Sequence, residues 1–212
     1  MINASKRLTR VKRIFDPYFD RRDFVRLDRN EDPVGWDSDH FKEIIQSIDP
    51  YDFAAYSDST TFVAKLAQWL NAKPSNLYVS AGSDAAIKNI FETYVDEGDW
   101  VGLQKPGWRM YDVYNDAYRG NAKFVAYDNE LRLDIDRILD LLSSERIRML
   151  IIANPNQPTG TIIRQAELKK VIQAAARTGT LVVIDEAYYL FSEETCANLI
   201  NFYSNLIVVR TF

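Results

Sequence analysis

Several absences narrow this chain before any motif is read. Cys196 is the only cysteine, so no intrachain disulfide can form, and a reducing cytoplasm fits. His40 is the only histidine, which leaves no histidine-based metal cluster, and no His–Cys spacing suggests zinc. A net charge of -4 removes the electrostatic case for nucleic acid. No apolar run approaches membrane-spanning length, and the opening residues do not read as a signal peptide, so a cytoplasmic location is expected. No Gly-x-Gly-x-x-Gly or Gly-Lys-Ser/Thr loop follows the first apolar run, which disfavours a doubly wound nucleotide-binding protein of the usual kind. Internal repeats and low-complexity segments are also lacking.

What remains is ordinary globular material: 212 residues, 47% hydrophobic and 26% charged. That length buries one large core, or a core with a smaller appendage. Residues 1 to about 35 are charged, dotted with aromatics and weakly periodic; residues 1–40 read as an N-terminal arm or part of a small domain, and 41–212 as one large domain. The basic stretch Lys6 to Arg13 reads as a solvated arm, with a partner-contact surface as the alternative. His40 lies beside Asp37 and Asp39 near a helix start, and Cys196 is expected as a packed thiol on a helix.

From Phe41 onward the pattern is regular. Phe41, Ile44, Ile45 and Ile48 have helical spacing, ended by Asp49-Pro50. Phe62, Leu66, Trp69 and Leu70 mark a second helix, capped by Ser59 or Thr60 and closed before Pro74. Apolar runs at Leu77–Ser80, Trp100–Leu103, Lys123–Tyr127, Met149–Ala153, Thr180–Ile184 and Leu206–Arg210 then alternate with amphipathic stretches, the last near Glu193 to Tyr203. Such alternation predicts an α/β fold: a three-layer α/β/α sandwich around a mostly parallel sheet.

Two segments carry the functional signal: Asn154-Pro155-Asn156-Gln157-Pro158-Thr159-Gly160 and Val182-Val183-Ile184-Asp185-Glu186-Ala187-Tyr188. Ligands of open α/β sheets sit outside the carboxyl ends of the strands, so a polar turn after one strand and an acid ending the next point to one pocket. Asp185 ends a very apolar strand, a costly place for a carboxylate without a cationic or hydrogen-bonding partner. Tyr188 lies three residues on and can face the same side if the chain turns helical. Gly82-Ser83-Asp84 joins a strand to a helix and suits an anion, although the same tripeptide is a common helix cap. Trp108, after Pro106-Gly107, can stack on a planar ligand or pack in the core.

In this order and spacing, these residues resemble the fold-type I pyridoxal-phosphate (PLP) aminotransferases of class I/II, nearest the histidinol-phosphate aminotransferase branch. The resemblance runs from about Leu27 to Phe212. It takes in Leu27-Asp28-Arg29-Asn30-Glu31-Asp32-Pro33, Ala55-Tyr56-Ser57, Gly82-Ser83-Asp84, Pro106-Gly107-Trp108-Arg109-Met110-Tyr111, Pro158-Thr159-Gly160 and Asp185-Glu186-Ala187-Tyr188. It implies a PLP-binding large domain within 41–212 and transamination between amino-acid and 2-oxo-acid substrates. By the resemblance, Asp185 keeps the pyridine nitrogen protonated so that the ring can accept carbanion electrons. Tyr188 and Gln157 would bond the ring's 3′ oxygen, Trp108 would stack on the ring, and the N–H groups of Ser83 and Asp84, after Gly82, would hold the phosphate. Tyr56 would reach the cofactor of the second subunit of a homodimer.

Two departures stand out. Gln157 occupies a position where the family usually has Asn, which moves the amide one methylene outward, and Trp108 replaces the more usual Tyr. The family's Schiff-base lysine, in a Ser-Lys pair, would follow Phe212, so the expectation is a partial large domain without that lysine; Lys105 is a poor substitute. The resemblance also implies an antiparallel strand after that lysine, between the first and sixth strands, so Leu77–Ser80 is expected to lack its neighbour. A decarboxylase or lyase on the same scaffold, or a non-catalytic binding or scaffolding domain, are the alternatives.

Overall fold

The computed structural model describes residues 11, 20–25, 32, 34–56 and 58–212. The Leu27–Pro33 motif apart from Asp32, Ser57, and the basic stretch 6–13 apart from Val11 lie outside the described residues. Two compact units separate, one carried by Val63–Phe212 and the other ending at Phe62. The second holds helix α1 (Ser38–Ser47), whose first turn is capped by the Asp37 carboxylate accepting from the N–H groups of Asp39 and His40, both at 3.0 Å. Helix α2 (Thr60–Leu70) starts at Thr60, whose N–H and hydroxyl both donate to the Asp58 carboxylate, at 2.8 and 2.5 Å.

The larger unit is built on five parallel strands: β1 (Trp100–Lys105), β2 (Asn121–Ala126), β3 (Ile147–Ala153), β4 (Leu181–Asp185) and β5 (Leu206–Val209), hydrogen-bonded in the order β2-β1-β3-β4-β5. Helices α3 (Gly82–Tyr94), α4 (Arg109–Ala117), α5 (Ile135–Ser144) and α6 (Gln165–Thr178) cover its two faces. Side chains alternate across the sheet, and their packing partners follow that period of two. Met149, Ile151, Ala153 and Val183 pack with Ile87 and Phe91 of α3 and Tyr111 of α4. Leu150, Ile152, Val182 and Ile184 pack with Ile138 and Leu142 of α5 and Leu168, Val171 and Ile172 of α6. These strands read as unbroken apolar runs because both faces are covered.

Helix α6 ends at Gly179, whose φ of 71° lies in the left-handed region while its N–H closes on the Ala175 carbonyl. A side chain there is strained, so Gly179→Ala is expected to lose roughly 1–2 kcal/mol. Urea unfolding measures it; an unchanged midpoint would be the contrary result.

Two expected elements differ. Leu77–Ser80 joins no ladder among the described residues, although Leu77 itself is extended, and Tyr78 and Val79 are exposed. An apolar run becomes a strand only where a neighbour takes up its backbone groups, and among the described residues β5 has no such neighbour on its outer side. The helix expected near Glu193 to Tyr203 is a loop with a single 3-10 turn, Ala197–Leu199, because tertiary partners capture its polar groups. Glu194 accepts from the Gln165 N–H at 2.6 Å, capping α6, and the Cys196 N–H donates to Glu186 at 2.5 Å. Cys196 is thus buried, as expected, but precedes that turn instead of lying on a helix; burial pushes its thiol up to about 12. Among the described residues no helix is long and apolar enough to cross a membrane.

Candidate active site

The strand order reverses direction once: the chain steps from β1 outward to β2, then crosses back to β3, β4 and β5. Such a switch point opens a crevice at the carboxyl ends of the flanking strands, here β1 and β3. The β1–β3 ladder stops at Leu103↔Ile151, and beyond it the side chain of Gln104 takes over. Its Oε1 accepts from the Ala153 N–H at 2.7 Å and its Nε2 donates to the Tyr127 hydroxyl at 2.8 Å. Both turns of interest emerge beside this crevice.

The turn after β3 is shaped by asparagine side chains that stand in for backbone. Asn154, fully buried, accepts from the Ile163 N–H at 2.7 Å and donates to the Ile163 carbonyl at 3.0 Å. Asn156 Nδ2 donates to Thr159 Oγ1 at 2.8 Å and to the Pro106 carbonyl at 3.3 Å, tying this turn to the one after β1. These anchors leave Gln157 half-buried at the tip of the turn, where its Oε1 accepts from the Tyr188 hydroxyl at 3.4 Å. The added methylene therefore carries the Gln157 amide to Tyr188, and the pair meets from two different strand ends.

Asp185 follows from the alternation of β4. It lies two residues past Val183 and so faces α3 and α4, where it is 5% exposed. Tyr111 of α4 donates its hydroxyl proton to Asp185 Oδ2 at 2.5 Å, and the Ala187 N–H donates to Oδ1 at 3.0 Å. No ion pair reaches this carboxylate among the described residues. Burial raises its pKa above the ordinary range, only partly opposed by those two hydrogen bonds. Burial, then the adjacent carboxylate, hold the Tyr111 phenol well above its usual value, so it stays a donor. The ring of Tyr111 also meets Trp108 edge to face, centroids 5.3 Å apart and planes at 84°. Trp108 is half-buried, packed on the Tyr111 that holds the acid, and not sealed within the core.

At α3, Gly82 adopts φ 75° to turn the chain into the helix, and no side chain caps the first turn. The N–H groups of Ser83 and Asp84 face outward from a 13-residue helix whose positive end suits an anion. Asp84 itself accepts from Tyr114 at 2.6 Å. A Cβ built on Gly82 would lie 3.7 Å from Thr211 Oγ1, which brings the residues after β5 to this helix start. Lys105 points elsewhere: it pairs with Asp112 at 3.2 Å and lies over the Phe124 ring at 4.9 Å. Tyr56 belongs to the other unit, where it is fully exposed.

The residues fit PLP. A buried carboxylate with no cationic partner among the described residues suits a protonated ring nitrogen, an uncapped helix start suits a phosphate, and a half-buried indole packed on Tyr111 suits a planar ring. Sequence reading missed Tyr111 as a partner of Asp185, Gln104 as the bridge across the crevice, and Thr211. Tyr111 carried a usable signal, since it stands three residues after Trp108 and so shares a helix face with it.

A family model described as aminotransferase class I and II matches residues 22–212. The histidinol-phosphate aminotransferase of Clostridium novyi (strain NT) is 30% identical over 189 residues, covering 88% of this chain and 52% of that protein. That of Sulfurisphaera tokodaii is 36% identical over 150 residues, covering 69% of this chain and 41% of that protein. Among solved structures, histidinol-phosphate aminotransferase from Sinorhizobium meliloti in complex with pyridoxal-5′-phosphate superposes with a TM-score of 0.76 at 26% identity, covering 87% of this chain and 50% of that one. The enzyme from Clostridium acetobutylicum shares the fold, with a TM-score of 0.71 at 20% identity over 86% of this chain and 54% of that one. The chain spans about half the length of the curated relatives it matches. With a family match across nearly all its length and the parallel-sheet architecture of these relatives, this chain belongs to the class I and II aminotransferases.

Proposed function

We propose that this chain forms the PLP-holding part of an enzyme that transaminates an amino acid or amino-acid phosphate against a 2-oxo acid, in the manner of histidinol-phosphate aminotransferases. The observation that carries the reading is Asp185: a carboxylate at a strand end, nine-tenths buried, hydrogen-bonded twice and matched by no cation among the described residues. PLP, when bound, would supply an electron sink for charge developing at the substrate's α-carbon. Asp185 would hold a proton on the ring nitrogen, and Trp108 would offer an aromatic face for the ring to stack on. The N–H groups of Ser83 and Asp84 bind the phosphate, with Gly82 allowing the close approach and Thr211 as a neighbouring hydroxyl donor. Tyr188 and Gln157 flank the 3′ oxygen. Tyr56, exposed in its own unit, is assigned to the cofactor of a partner subunit in a homodimer. The lone buried thiol suits a cytoplasmic setting.

Titration of the chain with PLP tests this. Tryptophan emission should be quenched, most of the quench should vanish in Trp108→Leu, and pyridoxal, which lacks the phosphate, should bind about tenfold more weakly, as expected for the loss of charge-assisted hydrogen bonds. Equal affinity for PLP and pyridoxal, or an undiminished quench in Trp108→Leu, would contradict the assignment.

A further inference from the structure

We propose that Tyr111 is a positioning residue for the cofactor ring, its hydroxyl donating to Asp185 while its ring edge holds Trp108, so that one side chain sets the acid and the stacking face relative to each other. The inference rests on the PLP reading above. Its basis is geometric. Tyr111 is 2% exposed and sits in the first turn of α4, three residues after Trp108. Its hydroxyl lies 2.5 Å from Asp185 Oδ2, and its ring meets the indole at 84°. Without this contact nothing on α4 would fix the acid; the other hydrogen bond to the carboxylate, from Ala187, comes from its own strand end.

The contact also bears on charge. A hydroxyl donating to a carboxylate favours the ionised form, against the burial that disfavours it. The titratable and charged groups around Asp185 are few. Tyr111 comes from α4, Tyr188 follows β4, and Glu186 is the next residue, with its charge met by Arg210 beyond β5 at 2.9 Å. The adjacent β3 contributes Ala153 and Asn154, neither of which titrates. Removing the Tyr111 hydroxyl therefore moves the Asp185 titration to higher pH. In the complex the acid is charged, so the variant must ionise it on binding wherever the free site is protonated. The loss of affinity is thus largest at low pH and closes as pH rises.

The test compares the native chain with Tyr111→Phe, which keeps the ring and the contact with Trp108. The carbon-13 shift of the Asp185 carboxyl, followed against pH without cofactor, should titrate at higher pH in the variant. PLP affinity, read by tryptophan quenching, should fall about tenfold at the acid end of the range, the size of one charge-assisted hydrogen bond. That deficit should narrow toward alkaline pH. If the phenylalanine variant does not fold, 3-fluorotyrosine placed at position 111 keeps ring and hydroxyl but donates more strongly, and should shift the Asp185 titration the opposite way. An unmoved Asp185 titration, or a deficit that is constant with pH, would assign Tyr111 to packing alone and overturn the proposal. Failure of the native chain to bind PLP would overturn the functional reading and this inference together, whereas intact PLP binding with an unmoved Asp185 would overturn only the role of Tyr111.

Discussion

Asp185→Asn should bind PLP far more weakly than the native chain while being the more stable protein without cofactor. The two effects have one source. An asparagine can keep the local bonds: its oxygen accepts from the Ala187 N–H, and its amide donates to a Tyr111 hydroxyl that rotates to accept. What it cannot keep is the negative charge that answers a protonated ring nitrogen. Truncating one side of a buried, hydrogen-bonded charge pair typically costs about 2–5 kcal/mol of binding, a loss large enough to empty the site at micromolar cofactor. The stability effect has the opposite sign. Because burial raises the Asp185 pKa above the ordinary carboxylate value of 3.8, there is a pH window above 3.8 in which the folded state holds a proton that the unfolded chain has released. Native stability from this group is complete below 3.8 and is lost as pH rises through the raised folded value. The melting temperature of Asp185→Asn should therefore match the native one near pH 4 and exceed it near neutral pH. Near-native PLP affinity in this variant would sink the role assigned to Asp185.

Glu186→Ala should be the most damaging substitution for folding, at roughly 3–5 kcal/mol, because it strands a partner of a buried pair. Glu186 is fully buried, and Arg210 meets it with Nε at 3.0 Å and with a second guanidinium nitrogen at 2.9 Å. Thr195 donates its hydroxyl proton to the same carboxylate at 2.8 Å, and the Cys196 N–H donates at 2.5 Å. Arg210 also lies over the Tyr189 ring at 4.1 Å. Loss of the carboxylate thus releases the 192–199 loop and the chain after β5 together. Urea unfolding gives the magnitude, and the rate at which Cys196 reacts with a thiol reagent gives the location, since the native thiol is buried. Replacing both Glu186 and Arg210 by leucine should recover much of the loss, because two apolar residues leave no charge stranded. A loss below about 1 kcal/mol for Glu186→Ala would place the pair among weak surface contacts.

Much of this was legible in the residues. The apolar runs at 149 and 180 became β3 and β4, covered on both faces, and a run with no polar alternation leaves little else to become; the run at 123 became the edge strand β2, where only Val125 is buried. Asp185 could be singled out because a carboxylate closing such a run demands an explanation. Other features depended on partners distant in sequence. Leu77–Ser80 has strand-like residues, but pairing is a property of a neighbour and is not written in the segment. Leu199, Ile200 and Tyr203 have helical spacing, yet Glu194 and the backbone of Cys196 are engaged by α6 and Glu186, and those bonds outweigh local preference. Gln157 looked like a weaker version of asparagine; the fold instead carries its longer side chain to Tyr188.

Two neighbouring acids close β4, and the pleat sends them to opposite sides of the sheet: Asp185 toward Tyr111, Glu186 toward Cys196. This makes the strand intolerant of sliding. A shift of one residue would bring the longer glutamate against Tyr111 and leave Arg210 facing an aspartate too short to span to it. Apolar strands seldom resist slippage by their own composition, since valine and isoleucine fit either face almost equally well. Here a parity lock of two carboxylates, each with its own dedicated donor, selects one pairing, and the same lock that aligns the sheet delivers Asp185 to the hydroxyl of Tyr111.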